Sequence, residues 1–285
     1  EYPVIRLDMS GAGATAAEIK DYLNLEFSKY EALYGIKPKE TSRESVRLQV
    51  ILDTAYQKTG KQVVVLIDEY DSPLQHSWKT PEHEGCTEVY RSVFSVLKLK
   101  GNVLRFVFIT GITKFTQISL FSVLNHLTNI SFLPQFAPLC GITEEEMTVN
   151  FAPELEALAD KMECSIEEAH DKLKTYYDGY HFSDENMTDI YNPFSLLNAL
   201  SQLRLRNYWI SSGATSMLNK FVNNMELRLH DFEDCYIDKD TLETSDVIEG
   251  GAELFLYQTG YLTIKGFDED GYSLGFPNEE VRKAL

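Results

Sequence analysis

The stretch Val63-Val64-Val65-Leu66-Ile67-Asp68-Glu69 is the segment from which the fold of this chain is predicted. A run of β-branched and other apolar residues is typical of a parallel strand that helices cover on both faces. Open α/β sheets bind their ligands at the carboxyl ends of such strands, which is where Asp68 and Glu69 stand. An acid at this edge can hold Mg²⁺, and a neighbouring acid can orient or deprotonate an attacking water. The alternative is a strand that merely ends in a solvated acidic turn.

The segments on either side of this strand alternate between strand and helix patterns. Residues 2–10 (YPVIRLDMS) and 103–111 (VLRFVFITG) are predicted to be strands, the second of them buried. Three helices are predicted in the same half of the chain: 15–34, from a Thr41/Glu44 capping box to about Tyr56, and 84–100. Because strand and helix alternate, an α/β fold with a parallel sheet is expected here.

The sequence changes character near Gly141. Capping boxes at Thr143/Glu146 and Ser165/Glu168 predict helices at about 144–162 and 166–177. The later segment YLTIKGFDEDGYSLGF (261–276) is predicted to be a hairpin of two aromatic-rich strands about an Asp-Gly turn. We therefore expect an α/β core over 1–141, followed by a helical, winged-helix-like region over 142–285.

Two residues near the end of the second predicted buried strand add to the acidic pair. Thr110 ends the strand 103–111 and is expected beside Asp68, where a hydroxyl can hydrogen-bond the attacking water or a γ-phosphate. Lys114 follows four residues later and is expected to approach a phosphate as a point charge, or else to be a solvated loop lysine.

The segment Asp68-Glu69-Tyr70-Asp71 places three carboxylates within four residues. Their mutual repulsion favours a cation nearby, although Asp71 has a turn or helix-capping role as an equal alternative. No GxxxxGK[ST] motif occurs in the sequence, and Thr59-Gly60-Lys61 precedes a strand instead of opening a helix. The sequence therefore predicts the metal and water half of a nucleotide site without its phosphate-binding loop.

The bulk composition excludes some classes of function. The formal net charge of −18 opposes nonspecific binding to nucleic acid, which depends on Lys and Arg contacts to phosphates. Residues 231–280 hold fourteen Asp and Glu against two Lys, which indicates a solvated acidic surface or a face for a basic partner. The four cysteines are widely spaced and are expected to be reduced thiols of a cytoplasmic protein. No apolar run is long enough to predict a membrane span.

An ordered set of motifs carries a resemblance to a known family. The motifs are YPVIRLDMS, VVVLIDEYDSPL, FVFITGITKF, LCGITEEE, YDGYHF, YNPFSLLNAL and LYQTGYLTI. In this order and spacing, the sequence resembles the AAA-ATPase-like family of bacterial P-loop proteins, whose members often carry a C-terminal PD-(D/E)XK nuclease-like domain. The resemblance covers essentially the whole chain. It implies a P-loop NTPase-like parallel sheet with flanking helices, from which the first strand and the P-loop are missing.

The resemblance also implies roles for residues that match the family by position. Asp68 resembles the Walker B magnesium ligand, Glu69 the catalytic base and Thr110 the sensor on the adjacent strand. ATP and Mg²⁺ are the implied cofactors. In the family, the Walker A segment lies upstream of the part that resembles residues 2–10, and the nuclease-like domain follows the part that resembles 276–285. We therefore expect this chain to be the middle of a longer protein.

Several residues keep open alternatives. His181 of the Tyr177–Phe182 motif is expected to be a structural histidine or a nucleotide contact, and Asp8 to line the same crevice or to cap a helix. Arg204 and Arg206 are expected to be solvated, or to act as an arginine finger.

The leading interpretation of function is an ATP-binding, Mg²⁺-dependent AAA-like ATPase module that couples nucleotide state to a protein partner or an attached domain. The alternative is a non-catalytic pseudo-ATPase that presents an acidic surface for protein interaction or regulation. Direct nucleic-acid binding by this chain is not expected, because the predicted wing (KGFDEDGY) carries acids where Lys or Arg would be needed.

Overall fold

The computed structural model describes residues 1–37, 43–113, 127–209, 232–244 and 250–284. The chain divides into two compact units, Glu1–Thr128 and Asn129–Leu285. The predicted change of character near Gly141 lies a short way inside the second unit. Each unit is described below by itself.

The first unit is an α/β structure built around a three-stranded parallel sheet. Its strands are β1 (Val4–Asp8), β2 (Val63–Asp68) and β3 (Leu104–Ile109), and its helices are α1 (Ala16–Leu33), α2 (Glu44–Thr59), α3 (Ser72–Ser77) and α4 (His83–Leu99). The strand order is β1-β2-β3, and both pairings are parallel. The predicted α/β class and parallel sheet are therefore confirmed.

Helix α1 begins, and helix α2 ends, as their sequences predict. Thr15 caps α1 through a capping box with Glu18, and the apolar stripe Ile19, Leu23 and Phe27 is buried. The predicted capping box of α2 involves Thr41, which lies outside the described residues. Gly60 ends α2 in the left-handed conformation with φ +65°, which glycine adopts without steric cost.

One face of the sheet is buried and the other is only partly covered. Ile5, Val65 and Ile67 lie on the buried face, and α2 contacts β2 there. On the opposite face, Val64 is half-buried and its register partner Phe106 is 52% exposed. The expectation of a strand buried on both faces is therefore wrong for β3. Although β3 is apolar, the described residues cover the second face of the sheet only in part.

The second unit combines helices with small antiparallel sheets. Its helices are α5 (Glu144–Asn150), α6 (Ala152–Met162), α7 (Ile166–Tyr177), α8 (Pro193–Gln202), α9 (Lys239–Thr244), α10 (Gly251–Gln258) and α11 (Glu279–Arg282). Its strands are β4 (Ile142–Thr143), β5 (Ile190–Tyr191), β6 (Cys235–Asp238), β7 (Thr263–Phe267) and β8 (Gly271–Gly275). A cluster of apolar side chains from α5 to α8, including Leu158, Leu173 and Leu196, forms its helical core.

The capping boxes at Thr143/Glu146 and Ser165/Glu168 are confirmed. The single helix expected over about 144–162 is instead divided at Phe151, because Pro153 stands in the first turn of α6 and cannot donate to a preceding helical turn. The predicted hairpin is present as β7 and β8. A third strand, β6, pairs with β8 to give the order β6-β8-β7, which the sequence pattern did not predict.

None of the helices in the described parts of the chain has both the length and the apolar composition that a bilayer crossing requires.

Candidate functional site at the carboxyl edge of the parallel sheet

The parallel register places polar residues of the three strands side by side at their carboxyl ends. Asp8 of β1 is the register partner of Asp68 of β2. Thr110 follows β3, and its N–H donates to Ile67 O at 2.9 Å, which continues the ladder by one residue. The Thr110 hydroxyl donates to Asp68 Oδ1 at 2.6 Å. The structure thus brings together Asp68 and Thr110, which the sequence analysis expected to be neighbours.

Glu69 leaves the sheet in an unusual backbone conformation. Its φ is +47°, in the left-handed region that non-glycine residues adopt at a cost of about 1 kcal/mol or more. Its N–H donates to Asp68 Oδ1 at 3.1 Å. Partial burial raises the pKa of the Glu69 carboxyl, and the negative charges of Asp8, Asp71 and Asp68 raise it further. A raised pKa makes a carboxylate a better proton acceptor.

Asp8 lies at the same edge of the sheet as Asp68, and it caps a short 3₁₀ turn instead of α1, which Thr15 caps. Its Oδ1 accepts from Ser10 N at 3.2 Å and from Ser10 Oγ at 2.7 Å, at the start of the short 3₁₀ turn Met9–Gly11. The hydroxyl of Ser10, and then its N–H, hold the pKa of Asp8 below its usual value. Asp8 is therefore a charged neighbour of Asp68, with one oxygen already engaged.

Arg6 is a member of this edge that the sequence analysis did not single out. Its Nη2 lies 3.6 Å from Asp68 Oδ2, and both side chains are about half or more exposed. An exposed pair of this kind contributes little to stability. The position of Arg6 could have been predicted from the alternation of β1, which places Arg6 on the same face as Asp8, two residues away.

Asp71 does not join the exposed carboxylates. Its spacing predicted a place beside Asp68 and Glu69 at one edge, but Asp71 is 1% exposed and its carboxylate bonds to the segment after β3. Lys114, the predicted phosphate contact, lies outside the described residues. Thr59-Gly60-Lys61 forms the end of α2 and the approach to β2, as expected for a segment that is not a phosphate cradle.

The residues present fit a Mg²⁺ ion that takes few ligands from the protein, as in nucleotide sites. Within the described residues, no three His, Cys, Asp or Glu side chains come together as a metal-binding group. Mg²⁺ in phosphoryl-transfer sites is held by one or two carboxylates together with water and substrate phosphates. Asp68, whose side chain is 48% exposed, offers a single accessible carboxylate of this kind.

The Tyr177–Phe182 motif in the second unit is a structural junction. His181 Nδ1 lies 2.8 Å from Ile264 O, and its Nε2 lies 2.8 Å from Asp189 Oδ1. The backbone N–H of His181 donates to Thr263 Oγ1, which donates in turn to His181 O. These bonds fasten the end of α7 to β7. His181 is therefore engaged at both ring nitrogens, as the structural alternative anticipated.

Gly179 of the same motif is required by close packing. Its φ is +92°, and an added Cβ would meet the Pro277 carbonyl oxygen at 2.5 Å.

The preceding residue, Asp178, has a side chain that is 1% exposed. Among the described residues, no hydrogen bond of ordinary geometry reaches either of its carboxylate oxygens, and Lys174 Nζ lies 3.9 Å away. Burial raises the pKa of Asp178 to about 6, while the Gly179 N–H and Lys174 oppose the change.

This buried carboxyl gives a testable dependence of stability on pH. Because the folded-state pKa lies above the ordinary value of 3.8, the neutral acid stabilises the fold below about pH 4, and this contribution is lost as the pH rises through about 6. Asp178→Asn, which is neutral at every pH, should therefore raise the free energy of unfolding by about 2–3 kcal/mol at pH 8 and by little at pH 4. Urea titrations at both pH values check this.

The control for Asp178→Asn is Asp160→Asn, which removes an exposed carboxylate from α6. It should change stability by less than about 0.5 kcal/mol at either pH. A loss of stability in Asp178→Asn at pH 8 would show that the attraction between Asp178 and Lys174 outweighs the cost of burying the charge.

Comparisons with known proteins agree with the motifs. Residues 1–121 match a family model described as AAA-ATPase-like, a predicted AAA-ATPase. A protein of Azotobacter chroococcum mcd 1, named "Uncharacterized protein in vnfD 5'region", is 31% identical over 295 aligned positions, which cover 100% of this chain and 54% of that protein. The chain thus spans about half the length of this relative. No solved structure matches the chain. Residues 1–121 are thus similar to the predicted AAA-ATPase family, in agreement with the resemblance that their motifs carry.

Proposed function

We propose that this chain carries the catalytic edge of an ATP-binding, Mg²⁺-dependent ATPase module of the AAA-like type. The observation that supports the proposal most directly is the 2.6 Å hydrogen bond between Thr110 Oγ1 and Asp68 Oδ1 at the carboxyl edge of a parallel sheet, with Glu69 next to it. Open α/β sheets bind ligands at this edge, and phosphoryl transfer depends mainly on positioning and on charge neutralisation. The predicted AAA-ATPase family, whose model residues 1–121 match, points to the same class of ligand.

Each residue has a distinct role in this proposal. Asp68 would hold the Mg²⁺ that accompanies the nucleotide, and the ion would neutralise charge on the phosphates. Glu69, with its raised pKa, orients the attacking water and takes its proton. Thr110 presents its hydroxyl to the water or the γ-phosphate. Lys114 is retained as a proposed phosphate contact.

The phosphate-binding half of the site has no counterpart in the sequence of this chain, because no GxxxxGK[ST] motif occurs in it. We propose that a Walker A segment upstream of the part equivalent to residues 2–10 supplies it in the natural protein. We propose that this segment adds a strand at the second edge of β3, which among the described residues pairs with β2 alone.

The region 142–285 is proposed to be the helical, winged-helix-like lid through which nucleotide state reaches a protein partner or an attached nuclease-like domain. A ligand acts on such an equilibrium only through its different affinity for the two states. We propose a cytoplasmic location for the module, with no direct binding of nucleic acid by this chain.

A second candidate function is a pseudo-ATPase that serves as an acidic interaction module. The formal charge of −18 and the acidic segment 231–280 favour this alternative, since such a surface attracts basic partners. The two proposals differ in one measurable respect. A catalytic module hydrolyses ATP in a Mg²⁺-dependent reaction that requires Asp68, whereas an interaction module does not.

The test is ATP hydrolysis by the natural protein that contains this chain, titrated with Mg²⁺. We expect no turnover without Mg²⁺, and we expect Asp68→Asn to raise the Mg²⁺ concentration for half-maximal turnover by about 10-fold or more, because a neutral amide is a poorer ligand for a hard cation. Asp21→Asn, an exposed change on α1, is the matched control and should leave the titration unchanged.

Calorimetry with residues 1–285 alone completes the test. Because the chain lacks a phosphate-binding loop, its affinity for ATP should be weak or undetectable. Micromolar binding by this chain would contradict the division of the site between two segments. An active natural protein whose Mg²⁺ titration is unaffected by Asp68→Asn would remove Asp68 from the metal site.

A further inference from the structure

The buried carboxylate of Asp71 gathers hydrogen bonds from the segment that follows β3. Asp71 is 1% exposed. Its Oδ1 accepts from Ile112 N at 3.2 Å, and its Oδ2 accepts from Thr113 N at 2.5 Å and from Thr113 Oγ1 at 2.7 Å. Hydrogen bonds to an ionised group are roughly twice as strong as those between neutral groups. The carboxylate of Asp71, which follows β2, thus binds two consecutive residues that follow β3.

Neighbours of Asp71 hold the same segment at further points. Tyr70 N donates to Thr110 O at 3.0 Å, and Tyr70 Oη donates to Thr113 O at 2.9 Å. Gln75 of α3 donates through its Nε2 to Thr113 Oγ1 at 2.9 Å and also to the Asp71 carboxylate. The residues Tyr70, Asp71 and Gln75 therefore enclose the segment 110–113.

The position after Thr110 is a glycine because this enclosure leaves no room for a side chain. A Cβ on Gly111 would lie 2.6 Å from the Tyr70 ring and would overlap the Asp71 carboxylate. Close approach of backbone to a neighbouring group is one of the situations that demand glycine. The segment 110–113 is thus seated directly against Asp71 and Tyr70.

These contacts decide between the roles that the sequence left open for Asp71. As a helix cap, its side chain would bond to the first turn of α3, but no side-chain capping bond is present there. As a metal ligand, it would need an accessible carboxylate, but its oxygens receive N–H and O–H donors inside the protein. Burial raises the pKa of Asp71, and the bonds from Thr113 oppose that change.

We propose that Asp71 is a positioning residue that holds the Thr110 hydroxyl against Asp68 by fixing Ile112 and Thr113. The consequence for catalysis rests on the proposed ATPase function, whereas the positional claim does not. Thr110 immediately precedes the fixed segment, and its hydroxyl reaches Asp68 Oδ1 at 2.6 Å. A few tenths of an ångström of drift in this segment would move that hydroxyl from the place where the water or phosphate is met.

Asp71→Asn tests the positional claim, because it keeps the shape of the side chain but turns one acceptor into a donor. The new NH₂ group would face an N–H of Ile112 or Thr113, so at least one hydrogen bond is lost. Amide hydrogen exchange of Ile112 and Thr113, followed by NMR on residues 1–285, should be about 10-fold or more faster than in the unsubstituted chain. The methyl signal of Thr110 should shift as well.

Two further variants calibrate this experiment. Thr113→Val removes the hydroxyl, which donates to Asp71 and accepts from Gln75, but keeps the backbone N–H donors. It should give a smaller increase in exchange of the same two amides. Asp21→Asn removes an exposed carboxylate from α1 and should change neither the exchange rates nor the Thr110 signal. If Asp71→Asn does not fold, Thr113→Val alone still decides, since unchanged exchange in that variant would overturn the claim that Asp71 and Thr113 hold the segment.

The catalytic consequence is measured in the natural protein. Asp71→Asn should lower kcat for ATP by about 10-fold or more and change KM by less than about threefold, because Asp71 does not touch the nucleotide. Faster exchange with unchanged kcat would overturn the catalytic consequence, and an effect confined to KM would point to a binding residue. If the natural protein does not hydrolyse ATP at all, the proposed function fails, while the exchange measurements still decide the role of Asp71.

Discussion

Glu69→Gln is expected to lower the rate of ATP hydrolysis by about 100-fold or more while leaving ATP binding within about threefold. Glutamine keeps the size of the side chain and its ability to orient a water, but it cannot accept the proton. General bases typically contribute a factor of about 10² to 10⁴. Since glutamine has the same Cβ, the cost of the φ of +47° is the same in both proteins. Phosphate release at saturating ATP and Mg²⁺ measures the rate, and calorimetry measures the affinity.

The control for Glu69→Gln is Glu88→Gln, which removes an exposed carboxylate from α4. Its turnover should equal that of the unsubstituted protein. If Glu69→Gln retains more than about half of the turnover, Glu69 is not the base, and Asp8, the register partner of Asp68, becomes the next carboxylate to replace. If the unsubstituted protein binds a partner but never turns over ATP, the interaction module is favoured.

The acidic edge of the site was predictable because its signals are local. An unbroken β-branched run predicts a strand of a parallel sheet, and the carboxyl ends of neighbouring parallel strands meet at one edge. Together with the strand arrangement that the resemblance to P-loop ATPases implies, these rules predict that Asp68 and Thr110 are neighbours, and the structure places them at hydrogen-bond distance. The helix starts at Thr143 and Ser165 were similarly visible, since a capping box is a pattern within four residues.

The rest of the site depends on contacts between residues far apart in the sequence. Nothing in the spacing of Asp68, Glu69 and Asp71 says that two of these carboxylates stay at the sheet edge while the third turns inward. That difference arises from the donors of Ile112 and Thr113, which lie beyond the next strand. Sequence-based reasoning therefore grouped the three by proximity, whereas the fold separates them by burial.

The open face of the sheet was missed for a related reason. The apolar sequence of β3 is that of a strand covered on both sides, and the prediction assumed that the cover lay within the chain. In the described residues, Phe106 and Phe108 stack on each other with ring centroids 6.0 Å apart, and Phe106 remains 52% exposed. The apolar sequence of β3 indicates that both faces of this strand need to be covered, but it does not indicate which segment covers the second face.

A buried ion pair between α1 and α2 gives the largest expected effect on stability. Arg47 donates through Nε to Glu31 Oε1 at 2.8 Å and through Nη2 to Glu31 Oε2 at 2.6 Å, a two-point contact. Arg47 also donates to Asn24 Oδ1 at 2.6 Å and to Ser28 Oγ at 3.0 Å. The side chains of Glu31 and Arg47 are only 4% and 10% exposed. The guanidinium is therefore the main partner of a carboxylate that water scarcely reaches.

Arg47→Met should lower the free energy of unfolding by about 3–5 kcal/mol, because it leaves the Glu31 carboxylate buried without a cation. The double variant Glu31→Met/Arg47→Met should recover most of this loss, since two apolar side chains of similar volume replace the pair. Urea unfolding followed by circular dichroism measures both.

Arg91→Met, an exposed change on α4, is the matched control and should cost less than about 0.5 kcal/mol. A double variant as unstable as Arg47→Met would show that the bonds to Asn24 and Ser28, and not the unpaired carboxylate, account for the loss. The helices α1 and α2 lie in the same unit as the strand that ends in Asp68, so Arg47→Met should also lower the temperature up to which ATP is turned over.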